Sequence, residues 1–317
     1  MIQVSKGEYL LSKGINLIHC GNRKILGHER YCRSSYYGKR ILNIDESNLY
    51  IKSLLSGNNP CMVTRFGDTE LRILVYTIEN ELGLRKGFPE YIKKAASLNA
   101  GFFPATDINL LKYGRLLWNS IPYADAFGVW FNLLEDYVIH KQNAGAALLK
   151  LEGLEPYRSI EPWSEALEGK RVLVVHPFVE SIQQQYAIRE HLFADKRVLP
   201  SFELITLKAI QSNAGNDCGY SSWFDAFDVM KDRTSQIEFD IAIVGCGSYG
   251  LPLSVHLKEL GKKVVHLAGA TQILFGIKGA RWDAKPEVAR LYNDQWCRPC
   301  ATEKPRYASE IEGGCYW

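Results

Sequence analysis

No apolar run in the chain approaches the roughly 18 residues that a membrane span needs. The opening MIQVSKGEYLLSKG has no continuous apolar core, so it does not read as a secretory signal. Neither sign of charge dominates: 38 Lys and Arg stand against 35 Asp and Glu, a formal +3 over 317 residues, which argues against nucleic acid as the main partner. No linker rich in Pro, Gly or Ser divides the chain. One α/β unit is therefore favoured over two domains, although the length alone allows either. The four-ligand spacing of a structural zinc site is also missing: Cys297-Arg-Pro-Cys300 is the one C-x-x-C, with only Cys315 nearby. The other cysteines are scattered, and the expected setting is reducing and cytoplasmic, with free thiols.

What is present is a regular alternation. NIDESNLYIKSLLSG (43–57) predicts a capped amphipathic helix stopped by Gly57. CMVTRFG (61–67) and ADAFGVW (124–130) predict short strands, and DTELRILVYTIENELG and TDINLLKYGRLLWNSI predict helices between them. Beyond Lys170 the strands KRVLVVHPF, FELITLKAI, FDIAIVGCG and KKVVHLAG alternate with three helical stretches. That pattern implies a Rossmann-like parallel sheet with helices on both faces. Residues 1–37 show weak periodicity and read as an N-terminal arm ahead of a single domain at 38–317. Within the stretch 22–40 six Lys and Arg face one Glu, interleaved with Tyr31, Tyr36 and Tyr37. A solvated arm is the plainer reading. The alternative is weak peripheral contact with an anionic membrane through Arg23, Lys24, Arg30 and Arg33.

Three places could carry chemistry. Gly245, Gly247 and Gly250 form G-x-G-x-x-G between a strand and a helix, the outline of a dinucleotide fingerprint. The acidic residue that should bond the ribose is absent from the next strand, KKVVHLAGATQ, which disfavours a nicotinamide cofactor. Either the glycines serve packing, or the amides near Gly247 and Tyr249 face an anion. HPFVESIQQQY (176–186) offers a second anion cradle, with Ser181 at the start of a helix; simple capping is the alternative. The third place is RFGDTE (65–70). Asp68 and Glu70 follow a strand-Gly break, where a loop can turn both toward one point, and hard divalent ions take one or two carboxylates plus phosphate oxygens. Arg65 can pair with a phosphate or hold the carboxylates in position.

VTRFGDTE resembles the Arg-Phe-Gly-Asp-x-Glu signature of the GT-D-fold bacterial glycosyltransferases. VVHPFVESIQQQY, LKAIQSNAG, the long block from Asp240 to Asp283 and the terminal EGGCYW are similar to later blocks of GT-D-like proteins from polysaccharide loci. The resemblance runs from about residue 60 onward. It implies a cytosolic enzyme of cell-surface glycan assembly, with a nucleoside-diphosphate sugar donor (a UDP-sugar) and Mn²⁺ or Mg²⁺. Asp68 and Glu70 would be the metal ligands, with Arg65 and Gly67 in the same loop. Thr69 departs from the frequent Gly. Ser181, Gly247, Tyr249, Gln272, Lys278 and Arg281 are the further donor-binding candidates, the last three in the Gly-rich, basic GATQILFGIKGARW (269–282). Asp217 and Glu180 are candidate bases for an acceptor hydroxyl. The acceptor expected is a glycan or lipid-linked saccharide. A non-catalytic sugar-nucleotide-binding module and an NAD(P)-dependent oxidoreductase are the alternatives.

Overall fold

The computed structural model describes residues 2–27 and 33–317. Nine strands among them form one sheet: β1 (Ser35–Tyr36), β2 (Lys39–Leu42), β3 (Cys61–Thr64), β4 (Ala126–Val129), β5 (Ala147–Lys150), β6 (Arg171–His176), β7 (Glu203–Lys208), β8 (Ile241–Val244) and β9 (Lys263–Val265). The order is β1-β2-β5-β4-β3-β9-β8-β6-β7. Only the β1–β2 hairpin is antiparallel; every other pair runs parallel.

β3, β4 and β8 are buried at every position because both of their faces are covered. Met62 of β3 enters one core while Cys61 and Val63 enter the other, and β8 divides Ala242 and Val244 from Ile241 and Ile243 in the same way. The first core is closed by α1 (Lys6–Leu26), α3 (Asp68–Glu81), α4 (Glu90–Leu98), α5 (Asp107–Ser120), α6 (Glu135–Asn143), α8 (Trp223–Ser235) and α9 (Gly250–Glu259). The second is closed by α2 (Ile44–Ser56), α7 (Val179–Ala187) and the irregular segments around Trp163, Val198 and Trp296. At the start of α2 the Glu46 amide donates to Asn43 Oδ1 and the Asn43 amide donates to Glu46 Oε2, both at 3.0 Å, a capping box that satisfies two helix-end donors. The alternating strand–helix reading therefore holds for the α/β class, the parallel sheet and its two covered faces.

The start of the chain differs from its reading as an irregular lead-in: α1 is a helix of 21 residues. Its inward face is polar. Tyr9 Oη donates to Glu79 at 3.0 Å, Asn16 Nδ2 donates to Asp136 at 3.0 Å, and Asn16 Oδ1 accepts from the Leu134 amide. The helix docks by hydrogen bonds, while its apolar residues lie on a broad outer face. The basic stretch is also largely consumed by the body. Arg23 donates to the Trp130 and Phe131 carbonyls, Arg33 pairs with Asp136, Lys39 donates to the Ala144 and Gly145 carbonyls, and Arg40 pairs with Glu46. Arg30 and Tyr31 lie outside the described residues. Among the described residues, no helix is long and apolar enough to cross a membrane.

Candidate functional site

The chain leaves β3 toward β4 on one side, while β9 arrives on the other. Ligands of doubly wound sheets sit at such switch points, beyond the carboxyl ends of the strands. Here that edge collects the loops after β3 (65–67), β4 (130–134), β6 (177–178), β8 (245–249) and β9 (266–270).

Two independent signs single it out. Of the five non-glycine residues with positive φ among the described residues, Phe131, Leu134 and Ala268 lie in these loops; such conformations cost on the order of 1–3 kcal/mol each and gather at functional sites. Buried polar side-chain atoms without partners gather there too: Trp130 Nε1, Asn132 Nδ2, Glu135 Oε1 and His266 Nε2. Thr271 Oγ1 and Gln272 Oε1 of α10 (Thr271–Leu274), and Trp317 Nε1, join them, while Tyr137 Oη, Tyr157 Oη and Arg189 Nε lie outside these loops. Buried polar atoms are ordinarily satisfied, so a concentration of unsatisfied ones marks a place built for something else.

Arg65 stands in the middle. Its Nε donates to the Phe66 carbonyl at 2.9 Å, and its guanidinium lies 4.5 Å from the Trp130 ring centroid. It forms no ion pair among the described residues. Withdrawal from solvent lowers its pKa, and the neighbouring carboxylates of Glu70 and Glu135 oppose that shift. Glu70 folds back over the helix start: a Cβ at Gly67 would lie 1.9 Å from Glu70 Oε2. Position 67 is glycine for space, since its φ of −77° suits any residue. Burial raises the Glu70 pKa, Arg65 lowers it, and Asp68 raises it again. Asp68, half exposed, pairs with Arg72 one turn on at 2.9 Å. It also lines a cleft of about 580 Å³ between α1, α3 and the 131–133 loop.

Two histidines close the floor. His266 Nδ1 lies 3.0 Å from Thr64 Oγ1, and His176 Nδ1 accepts the Phe178 amide at 3.0 Å. Burial takes both down to about 3, with Arg65 adding to the effect at His266, so both rings are neutral. Their rings occupy the space that the glycine motif leaves. A Cβ at Gly250 would lie 2.1 Å from His266 Nε2, and one at Gly245 would lie 2.7 Å from both His176 Cδ2 and Thr271 Oγ1. Gly247 has φ +59°, the left-handed region glycine enters freely. Packing and a tight turn thus account for all three glycines.

The other sequence candidates fall in different places. Tyr249 is core, stacked on Trp223 at 4.8 Å. Ser181 and the Glu180 amide do not offer an open cradle, because Glu303 accepts from both amides; Ser181 Oγ donates to Glu303 and accepts from the Cys300 amide. The anion at that helix start is the chain's own. Glu180 accepts from Thr302 Oγ1 at 2.6 Å. Asp217 is exposed and accepts the Gly219 amide at 2.8 Å in an Asx turn. Gln272 donates to the Lys278 and Tyr316 carbonyls, and Lys278 Nζ lies 5.4 Å from the Tyr292 ring. Arg281, in α11 (Ala280–Asp283), stacks 4.7 Å over Tyr316, and its amide donates to the Cys315 carbonyl. Tyr316 and Trp317 lie across the edge, against Gly269 and Phe178.

Sequence reasoning missed Glu135. Its Oε2 accepts from Tyr36 Oη and the Trp130 and Phe131 amides at 2.8, 3.1 and 2.9 Å, which fixes the loop under Arg65. The one available signal was an acidic pair inside the apolar run 126–139. Burial raises its pKa to about 7 from 4.5. The native state therefore keeps a proton that the unfolded chain releases, and stability falls as pH rises from about 4.5 to 7, by on the order of 3 kcal/mol. Glu135→Gln, a mimic of the protonated acid, should flatten the melting temperature across that window. An undiminished slope would show that another group carries it.

No family model matches the chain, and no curated protein does. Two solved structures resemble it. One, a selenomethionine-substituted domain of unknown function 1792, is 16% identical over 73% of this chain and 79% of that one, with a TM-score of 0.43. The other is described as showing that the highly conserved domain of unknown function 1792 has a distinct glycosyltransferase fold; it is 15% identical over 92% of this chain and 98% of that one, with a TM-score of 0.40. Neither likeness assigns a role to a residue.

Proposed function

We propose that the chain is a glycosyltransferase that moves a sugar from a nucleoside-diphosphate sugar to a glycan or lipid-linked acceptor, with Mn²⁺ or Mg²⁺ at Asp68 and Glu70. The observation that carries this reading is Arg65, a cation without an ion pair among the described residues, set beside the carboxylates of Glu70 and Glu135 at the switch point of the sheet, with Asp68 neighbouring Glu70. The motif resemblance around residues 65–70 supplies the sugar-nucleotide class, a UDP-sugar.

Asp68 and Glu70 are hard oxygen donors, and among the described residues no third His, Cys, Asp or Glu joins them. That set fits an ion that keeps water and phosphate oxygens in its remaining positions. When bound, such an ion supplies Lewis-acid stabilisation of the departing diphosphate. The protein's own part is positional. Arg65 offers a fork to phosphate oxygens, and the neutral histidines leave the positive charge concentrated there. Glu70 is held over Gly67 before any ligand arrives, whereas Asp68 has to exchange Arg72 for its new partner.

Calorimetric titration of a panel of UDP-sugars, with and without Mn²⁺, tests the reading. Binding that requires the metal supports it. Absence of binding, or binding indifferent to metal, overturns it; a nicotinamide dinucleotide that binds instead would favour the oxidoreductase.

A further inference from the structure

A surface helix of a soluble domain ordinarily turns its apolar stripe inward. α1 does the reverse. Its polar side, Ser12 and Asn16 with the Tyr9 hydroxyl, faces the body. Leu10, Leu11, Ile15, Leu17, Ile18 and Ile25 are each 46% to 82% exposed. At about 100° per residue these positions spread over roughly half the circumference, wider than the narrow seam of a two-helix coiled coil. Lys6, Lys13 and Lys24 fall together along one border of that face by the same spacing. Lys13 pairs with Glu79, while Lys6 and Lys24 are exposed and in no ion pair among the described residues. Beyond that border lies the 580 Å³ cleft, which Lys13, Arg23, Lys24, Arg72 and Arg85 line together with Asp68.

We propose that α1 docks flat on an anionic membrane surface, its apolar face in the headgroup–acyl boundary and its lysine border among the lipid phosphates. A broad apolar face with cations along its edge is the pattern of an interfacial helix, whose affinity combines buried apolar area with attraction to anionic lipid. The long lysine stems reach the headgroups while their carbons stay on apolar surface. The mouth of the cleft then opens at headgroup level, so an acceptor displayed on a lipid would reach Asp68 without leaving the membrane. This last step rests on the glycosyltransferase reading; the docking itself does not. The earlier expectation placed the contact at 22–40, but four of the basic residues there are engaged by the body. The contact lies on the helix instead.

Co-sedimentation of the full chain tests the docking, using vesicles of phosphatidylcholine alone and vesicles mixed with an equal part of phosphatidylglycerol. Wild type should bind the anionic vesicles, release as salt rises, and bind the neutral ones weakly. Replacing Leu11, Ile18 and Ile25 together by Ser should weaken binding by about tenfold or more. Lys6→Gln with Lys24→Gln should weaken it about fivefold per lysine on the anionic vesicles. Circular dichroism checks that the triple variant folds, and Ile18→Asp alone serves if it does not. Wild type that stays in solution, or variants that bind as well as wild type, would overturn the proposal. So would a wild-type dimer, seen by light scattering, that the triple variant abolishes, since the face would then belong to a second copy. Donor titration is read separately, so either result can fail without the other.

Discussion

Asp68→Asn should lower turnover by about 10²–10³ and make donor binding indifferent to Mn²⁺, because charge stabilisation on a leaving diphosphate is worth several kcal/mol. The fold should hardly notice. Asp68 is half exposed and its pair with Arg72 is an i,i+4 surface contact, worth a few tenths of a kcal/mol. Its place in the first turn of α3 adds about 0.5 kcal/mol of helix-dipole attraction. Glu70→Gln should abolish activity in the same way, with a stability change of the other sign. Burial already disfavours the ionised Glu70, so a neutral isostere relieves that cost and the melting temperature should not fall. Calorimetry, turnover and thermal melting on the same three proteins separate the readings. If Asp68 serves only the first turn of α3, the same small stability change appears while metal-dependent binding and turnover persist. That result would sink the assignment.

The second large effect belongs to stability. Gly250→Ala should destabilise by about 1–3 kcal/mol, since its new Cβ falls on His266 Nε2 in a fully packed site. The ring cannot retreat without losing Thr64 Oγ1, a further ~1 kcal/mol. The usual helical advantage of Ala over Gly is smaller and is forfeited here. Gly14→Ala in α1 is the control: nothing lies within 4 Å of its Cβ, so it should stabilise by about 0.5–1 kcal/mol. His266→Ala combined with Gly250→Ala should cost less than the two separately, because the clash disappears with the ring. Equal melting of Gly250→Ala and wild type would show that the motif's glycine is not held by the histidine.

These two cases also show what could be read in the chain before its fold. The strands CMVT and IAIV announce themselves as short apolar, β-branched runs, and RFGDTE sits at a strand-to-helix break, so Asp68 and Glu70 were visible as a pair. The reason for the glycines was not. Two rings more than 10 residues away in sequence fill the space over Gly245 and Gly250, and no local pattern records that contact. Glu303 reaching the α7 amides is invisible for the same reason: an open anion cradle and a filled one have identical local sequence. β5 escaped because ALLK is short and ambiguous by periodicity. α1 escaped because its apolar residues spread over about half the circumference instead of a narrow stripe, and Gly7, Gly14 and Gly21 interrupt the run of helix formers.

The aromatic pair laid across the carboxyl edge has a consequence in time. Tyr316 is held by the Gln272 contact, by Arg281 stacking and by the close approach to Gly269, and Trp317 packs on Phe178 at 5.8 Å. A donor bound at Arg65 would have to wait for these rings to lift. Its association rate, followed by stopped-flow fluorescence, should then rise with donor concentration and level off at the opening rate, as gated sites do. Tyr316→Ala should raise that plateau. A rate that climbs linearly with concentration in wild type would mean that the way in lies elsewhere, through the cleft beside α1.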